Sequence, residues 1–251
     1  PVELNEPHHW GMRDAPDVVF VVSAFLSAYN AKAFGVKDYI AQLMFNSPPG
    51  TSDSMDLAKM LAILELIQPL AGPDFRIWTQ TRTGLLSYPL DPASARAHLA
   101  ASIYLQMALK PDVVHIVGHT EADHAATADE VIEAAKIARR AIENALGGQP
   151  AMIYDPNIIK RKENLVSEAK ITLLAIQNLS HNSTRDPFTD PEVLAKSVTM
   201  GILDAPQLKN NRYGRGMIRT RILGGACQAV DEDGNPISEL QRLEKFFKTG
   251  G

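Results

Sequence analysis

The sequence predicts an α/β fold of four repeated strand–helix units followed by a mostly helical extension, and three observations support this prediction. Segments with strand character begin at residues 2, 39, 75 and 113, about 37 residues apart, a period that suits a repeated βα unit. Each segment is followed by turn residues and then by apolar residues at helical spacing. Strands joined through crossover helices run parallel, so a parallel sheet is expected.

Four units of this size correspond to half of an eight-stranded barrel. We therefore predict that residues 1–150 form the second half of a (β/α)8 TIM-type barrel, strands 5 to 8. A small open doubly wound sheet is the alternative. The barrel is favoured because unusual polar residues cluster after the strands, where barrel enzymes carry their active sites, and because neither G-x-G-x-x-G nor G-x-x-x-x-G-K occurs.

Local signals place the boundaries of the units. The predicted strands cover residues 2–6, 39–46, 75–82 and 113–119. Helix starts are expected at Asp14, Ser52 and Asp91, and a fourth helix opens with a capping box at Thr127. Glycines near residues 35 and 147 and the proline at residue 111 mark where helices end.

After residue 150 the strand–helix period ends, and residues 151–251 are predicted to form a C-terminal helical extension. It comprises a long charged helix over residues 155–179, a polar loop over 180–190 and a short helix to residue 203. A small hairpin is expected from residues 219–223 and 225–230. We expect this extension to pack on the outside of the barrel.

Bulk composition excludes several classes of protein. The formal net charge of -4 provides no polycationic surface for nucleic acid, so no such partner is expected. The longest apolar run, residues 18–28, is too short to cross a bilayer, and no membrane association is expected. The single cysteine, Cys227, and a start without a secretory signal predict a cytoplasmic protein.

Candidate site residues lie at the ends of the predicted strands. His8 and His9 follow the first strand and could hydrogen-bond a cofactor oxygen or transfer a proton, although a buried structural histidine is the alternative. Asn46 and Ser47 enter a loop of small and hydroxylated residues before a helix start. Its backbone amides could hold a phosphate or a carboxylate, or the segment could be an ordinary loop.

The third and fourth strands contribute further candidates. Strand alternation places Gln80 and Arg82 on one face, and Arg82 is suited to a carboxylate unless it forms a salt bridge with a loop acid. His119, Glu121 and His124 could in principle bind a metal. Their H-x-E-x-x-H spacing in a loop is a weak metal signal, so hydrogen bonds to a polar ligand are favoured and no metal is predicted.

Several long strings resemble one family of enzymes, the D-ornithine 4,5-aminomutase large subunits and D-lysine 5,6-aminomutase alpha subunits. The strings are ELNEPHHWGMRDAPD at residues 3–17, SIYLQMALKP at 102–111, EADHAAT at 121–127 and GILDAP at 201–206. They are distributed over nearly the whole chain. The resemblance implies a TIM barrel, the cofactors pyridoxal 5'-phosphate and adenosylcobalamin, and a radical 1,2-amino shift on D-ornithine or a lysine.

The resemblance also implies roles for individual residues. His8 would hydrogen-bond the phenolic oxygen of pyridoxal phosphate, and Glu121 would meet the ribose hydroxyls of the adenosyl group; both are expected to act in catalysis. Arg82, with Gln80 beside it, would hold the substrate carboxylate. The expected cofactor-binding residues are His8, His9, Asn46, Ser47, His119 and Glu121.

The chain departs from the complete family pattern. The cobalamin signature D-x-H-x-x-G is absent, and in the family the lysine that binds pyridoxal phosphate belongs to the same missing domain. We therefore expect a fragment or split subunit that is inactive alone. Its expected partners are an amino-acid substrate, a cobalamin-binding domain or subunit and a small subunit in a hetero-oligomer.

Two other functions remain open at this point. The first is a metal-dependent hydrolase that uses His8, His9, His119 and Glu121 around zinc. The second is a half-barrel without catalytic activity that serves only in assembly. Ornithine and lysine differ by one methylene, a difference that selectivity at a binding site reflects only weakly, so the substrate stays open as well.

Overall fold

The computed structural model describes residues 1–180 and 184–247, which form a parallel sheet, helices and an antiparallel hairpin. The strands of the sheet are β1 (Val2–Glu3), β2 (Asp38–Phe45), β3 (Arg76–Thr83) and β4 (Val113–His115). They pair in the order β1-β2-β3-β4, and all three pairings are parallel. The hairpin consists of β5 (Arg219–Leu223) and β6 (Ala226–Val230).

Eight α-helices lie in the described part of the chain. They are α1 (Glu6–Gly11), α2 (Asp17–Ala33), α3 (Asp53–Ile67), α4 (Pro92–Gln106), α5 (Ala128–Leu146), α6 (Pro156–Gln177), α7 (Pro191–Thr199) and α8 (Glu239–Leu243). The predicted caps are present at three starts, because the side chains of Ser52, Asp91 and Thr127 accept hydrogen bonds from backbone N–H groups of α3, α4 and α5. Thr127 and Glu130 form the expected capping box.

The structure confirms the predicted α/β class, the parallel sheet and the hairpin, and it corrects two strands. The first strand does not extend to Glu6, because β1 ends at Glu3 and Glu6–Gly11 is helical. Pro7 explains this difference, since proline fits the first turn of a helix but cannot donate to a strand ladder. The fourth strand ends at His115 rather than His119.

The C-terminal extension differs from expectation in its position. Helix α6 packs on α2 and α3 and shares their hydrophobic core, but the hairpin packs on loops that follow the carboxyl ends of strands, rather than on the outside. The Ser52 amide donates to the Gly225 carbonyl at 2.8 Å, and the Thr220 hydroxyl donates to the Asp14 carbonyl at 2.8 Å. The predicted helix to residue 203 ends at Thr199, and residues 181–183 of the predicted loop lie outside the described residues.

The two faces of the sheet differ in how far their side chains are buried. On one face, Tyr39, Leu43 and Phe45 are buried in a core that also contains residues of α2, α3 and α6. The opposite face carries exposed side chains: Trp78 is 41% exposed and Val113 is 42% exposed. Parallel sheets are usually covered on both faces, so the uncovered face calls for an explanation. Among the described residues, no helix is long and apolar enough to span a membrane.

A buried ion cluster joins the helices to the loop that follows β2. Lys59 on α3 is 0% exposed, and its Nζ lies 2.7 Å from Asp56 and 3.3 Å from Asp17 on α2. The same Nζ donates to the Ser47 carbonyl at 2.6 Å. Burial opposes the charge on Lys59, but the two carboxylates together raise the lysine pKa above its ordinary value.

This cluster generates a prediction about stability. Lys59→Met should reduce the free energy of unfolding by about 3–5 kcal/mol, because it leaves the buried Asp56 without a cation and Asp17 with Arg161 alone. The matched control is Lys162→Met, which removes an exposed pair with Glu65 and should change stability by no more than about 1 kcal/mol. Urea unfolding followed by circular dichroism measures both values. Equal losses in the two variants would contradict the role given to Lys59.

Candidate functional site

The candidate site lies on the uncovered face of the sheet, near the carboxyl ends of its strands. In the parallel register, Met44 of β2 pairs with Arg82 of β3, and Arg82 pairs with His115 of β4. Side chains at the same level of adjacent strands project from the same face. The face therefore presents Gln80 and Arg82 from β3 together with His115, and Glu3 joins them from β1.

Helix α1 places His8 beside this face. The ring of His8 is 1% exposed and lies 6.1 Å from the ring of Phe20 on α2. A side chain at Gly11 would approach the Ser47 hydroxyl to 2.7 Å and the Phe20 ring to 2.8 Å, so only glycine allows α1 to pack this closely. Glu6 joins the helix to α2, because its carboxylate accepts from the Ser27 hydroxyl at 3.3 Å and from the Trp10 indole of the same helix at 2.7 Å.

His8 is held in its neutral form. Burial is the main cause, and the nearby Arg82 charge adds to it, so the pKa of His8 falls to about 3. The buried Nε2 atom of the ring has no hydrogen-bond partner in the described part of the chain. Buried polar groups in folded proteins are usually paired, so an unpaired one is a candidate contact for a ligand.

Arg82 carries an available positive charge in the site. Burial lowers its pKa, while the carboxylates of Glu3 and Glu121 act in the opposite direction. Its Nε has no hydrogen-bond partner among residues 1–180 and 184–247. The neighbouring Gln80 amide donates to Glu3 at 3.1 Å, so Gln80 is occupied by a contact within the site. A guanidinium in this position can bind a carboxylate through two hydrogen bonds.

The segment after β4 contributes Glu121 and His119, which have different environments. Glu121 is exposed, and one of its carboxylate oxygens accepts a hydrogen bond from the Gly118 amide at 2.6 Å. His119 is buried, neither ring nitrogen forms a hydrogen bond with another described residue, and its Nε2 lies 3.5 Å from Glu133. Glu133 is already bound by Arg96 on α4 at 2.7 Å. His119 thus faces α5.

Asn46 and Ser47 lie in the same region but belong largely to the structural cluster. The backbone N–H of Asn46 donates to the Asp56 carboxylate at 2.6 Å. The side-chain carbonyl of Asn46 accepts from the Ser102 hydroxyl at 2.8 Å. The backbone carbonyl of Ser47 accepts from Lys59. The Ser47 hydroxyl is buried and has no hydrogen-bond partner in the described part of the chain, so it is a candidate contact for a ligand.

The structure brings some of the predicted residues together and separates others. Electrostatic interactions link His8 to Arg82, and Arg82 to Glu121, so these three predicted residues share one region. His9 is exposed on the outer side of α1, although its charge still affects His8. His119 is directed to Glu133 instead.

Sequence reasoning missed Glu3, Gln42 and His115, all of which lie on this face. Gln42 is 3% exposed within the mainly apolar β2, and neither polar atom of its side chain has a hydrogen-bond partner among the residues that the structure describes. A lone glutamine in an apolar strand was the available signal for this residue. Burial lowers the pKa of His115, and the nearby charge of Arg82 lowers it further.

Two further findings bear on function. Among residues 1–180 and 184–247, no group of three or more histidine, cysteine, aspartate or glutamate side chains is arranged to hold a metal ion, so the zinc hydrolase gains no ligand set from this part of the chain. Neither protein-family models nor curated proteins gave a match to this chain.

The low pKa of His8 predicts a pH dependence of stability. Unfolding exposes the imidazole, which then binds a proton below pH 6.5, whereas the folded protein keeps it neutral down to about pH 3. Stability from this group is therefore present above pH 6.5 and falls as the pH decreases toward 3. Between pH 7.5 and pH 5, His8 should account for a loss of about 2 kcal/mol.

Urea unfolding of His8→Gln at both pH values measures this contribution. The variant should lose about 2 kcal/mol less than the wild type on acidification. His9→Gln, a change at an exposed position of the same helix, should behave like the wild type. An identical pH dependence in His8→Gln and the wild type would contradict a buried neutral imidazole.

Proposed function

We propose that this chain is part of an adenosylcobalamin- and pyridoxal-phosphate-dependent aminomutase that catalyses a radical 1,2-amino shift on D-ornithine or a lysine. One observation carries the proposal: buried polar atoms of His8 on α1, and of Gln42 and Arg82 on the adjoining sheet face, lack hydrogen-bond partners among the described residues. Unsatisfied buried groups reduce stability, so their concentration in one place indicates a function. Their chemistry suits an amino acid and a polar cofactor.

The uncovered face also supports a half-barrel as the architecture. The strands follow one another in sequence order, and α3, α4 and α5 form a continuous layer of neighbouring helices. A doubly wound sheet would reverse its order and carry helices on both faces. In a barrel the inner face meets the strands opposite, and four further βα units would pair with the free edges of β1 and β4.

The residues present fit pyridoxal phosphate at two points. The unpartnered Nε2 of His8 and the unpartnered hydroxyl of Ser47 are buried close to the same helix, α1. His8 would position the cofactor ring through its phenolic oxygen, and its neutral state keeps a second cation away from Arg82. Pyridoxal phosphate, when bound, carries the migrating amine, while adenosylcobalamin supplies the radical that starts the rearrangement.

The other residues have roles toward the substrate and the adenosyl group. Arg82, with Gln80 beside it, would bind the substrate carboxylate and fix its distance from the cofactor. Glu121 is exposed beside Arg82 and would accept hydrogen bonds from ribose hydroxyls with the carboxylate oxygen that does not bind Gly118. A cobalamin-binding domain or subunit and a small subunit would complete the hetero-oligomer.

Reconstitution tests the proposed reaction. The chain is combined with a complementary half-barrel and a cobalamin-binding subunit, then supplied with both cofactors and isotopically labelled D-ornithine. Mass spectrometry and NMR should show the isomer in which the terminal amine has moved by one carbon. Omission of either cofactor should abolish the product, and an assembled complex that binds both cofactors but rearranges neither ornithine nor lysine would contradict the proposal.

Arg82 allows a more direct test of substrate binding. Arg82→Met should weaken D-ornithine binding by the complex about 10- to 100-fold, because a charge-assisted hydrogen bond to a carboxylate contributes about 1.5–3 kcal/mol. Arg139→Met, which removes an exposed arginine on α5, is the matched control and should bind normally. Calorimetric titration measures both affinities. An Arg82→Met complex with wild-type affinity would exclude Arg82 from carboxylate binding.

A further inference from the structure

Gln42 is a buried amide in the central part of an apolar strand. Its neighbours along β2 include Ala41, Leu43 and Met44, all of which are buried in the hydrophobic core. Both side-chain polar atoms of Gln42 lack hydrogen-bond partners within residues 1–180 and 184–247. A leucine or methionine would fill the position without burying an unpaired donor and acceptor, so packing does not account for a glutamine here.

The register places Gln42 inside the candidate site. Gln42 pairs with Gln80 on β3, so both side chains project from the uncovered face. Arg82 is one strand across and two residues further along, roughly 8 Å away between Cα atoms from the strand spacing and rise. The side chains of Gln42 and Arg82 are thus diagonal neighbours that a single small ligand can contact.

A hydrogen bond within the site passes over Gln42. Glu3 on β1 and Gln80 on β3 are bonded at 3.1 Å, and β2 lies between their strands. The bond therefore crosses β2 near Ile40 and Gln42. It is partly buried and replaceable, because the Gln80 amide can leave Glu3 when a ligand offers new partners.

We infer that Gln42 is a second substrate-binding residue. Together with Arg82 it binds the amino-acid head group of the ligand, which consists of the carboxylate and the adjacent ammonium. This inference rests on the proposed function. The amide N–H of Gln42 donates to the carboxylate held by Arg82, and its carbonyl oxygen accepts from the adjacent ammonium. An α-amino acid satisfies both unpartnered atoms at once, which neither a simple carboxylate nor a simple amine does. Glu3, once released by Gln80, adds a negative charge that favours the ammonium.

Binding measurements with two probes test the inference. D-ornithine carries the complete head group, whereas pentanoate has the same carbon chain and carboxylate but no amine. Calorimetric titration of the reconstituted complex with each probe compares the wild type, Gln42→Met and Arg82→Met. We expect Gln42→Met to weaken D-ornithine binding by about tenfold or more and to weaken pentanoate binding less, since one hydrogen bond is lost instead of two. Arg82→Met should weaken both.

A stability measurement on the chain separates a binding role from a structural one. Gln42→Met should raise the midpoint of thermal unfolding, because it removes an unsatisfied amide from an apolar strand. Gln228→Met is the matched control and should lower the midpoint or leave it unchanged, since the Gln228 amide donates to the Leu223 carbonyl at 3.0 Å. A lower midpoint in Gln42→Met would indicate that Gln42 serves the fold, and it would overturn the inference.

A failure of the inference and a failure of the proposed function give different results in the binding and activity measurements. D-ornithine binding that Gln42→Met leaves unchanged would overturn the role of Gln42 while the aminomutase proposal stands. Binding of D-ornithine that depends on Gln42, in a complex that performs no amino shift, would support the inference and contradict the proposed function. A wild-type complex that binds D-ornithine no more tightly than pentanoate would overturn the inference.

Discussion

The buried ammonium of Lys59 connects most of the elements that surround the site. It joins α3 to Asp17 on α2 and to the loop after β2 through the Ser47 carbonyl. Asp17 in turn accepts from Arg161 on α6 at 3.1 Å and from the Cys227 amide on β6 at 3.2 Å. A buried charge is tolerated only when its partners are complete, so these segments have to assemble together. The helices, the hairpin and the loop after β2 thereby form one unit.

The geometry of the candidate site depends on the ion cluster around Lys59, although His8, Gln42 and Arg82 are not members of that cluster. Ser47 is fixed by Lys59, and α1 packs against Ser47 and Phe20 at Gly11, which sets the position of His8. The side chains of Gln42 and Arg82 at this end have polar atoms without hydrogen-bond partners in the described part of the chain, where an apolar core would be more stable. Such a loss of stability is typical of sites whose residues are arranged to bind a ligand rather than to stabilise the protein without it.

Local sequence signals predicted the regular elements well. Capping residues such as Ser52 and Thr127, and the apolar spacing of the segments that follow them, depend on contacts within a few residues and can be read directly. The same reasoning failed at residues 6–11, where Pro7 favours a helix start but the segment was assigned to a strand and its loop. Of the residues in the candidate site, His8, Arg82 and Glu121 were predicted because polar residues stand out after strands. Gln42 was missed because its lack of partners among the described residues shows only in the folded chain.

The sequence alone determined the α/β class, the parallel strands and most helix boundaries, because hydrophobic period and caps act over short distances. Tertiary structure alone decided that Lys59 is buried, that the hairpin lies against the loops near Asp14 and Ser52 and that His119 faces Glu133. It also decided which sheet face is left uncovered and which polar atoms there remain unpaired. These features depend on residues far apart in the chain, and burial and pairing are set only when those residues meet.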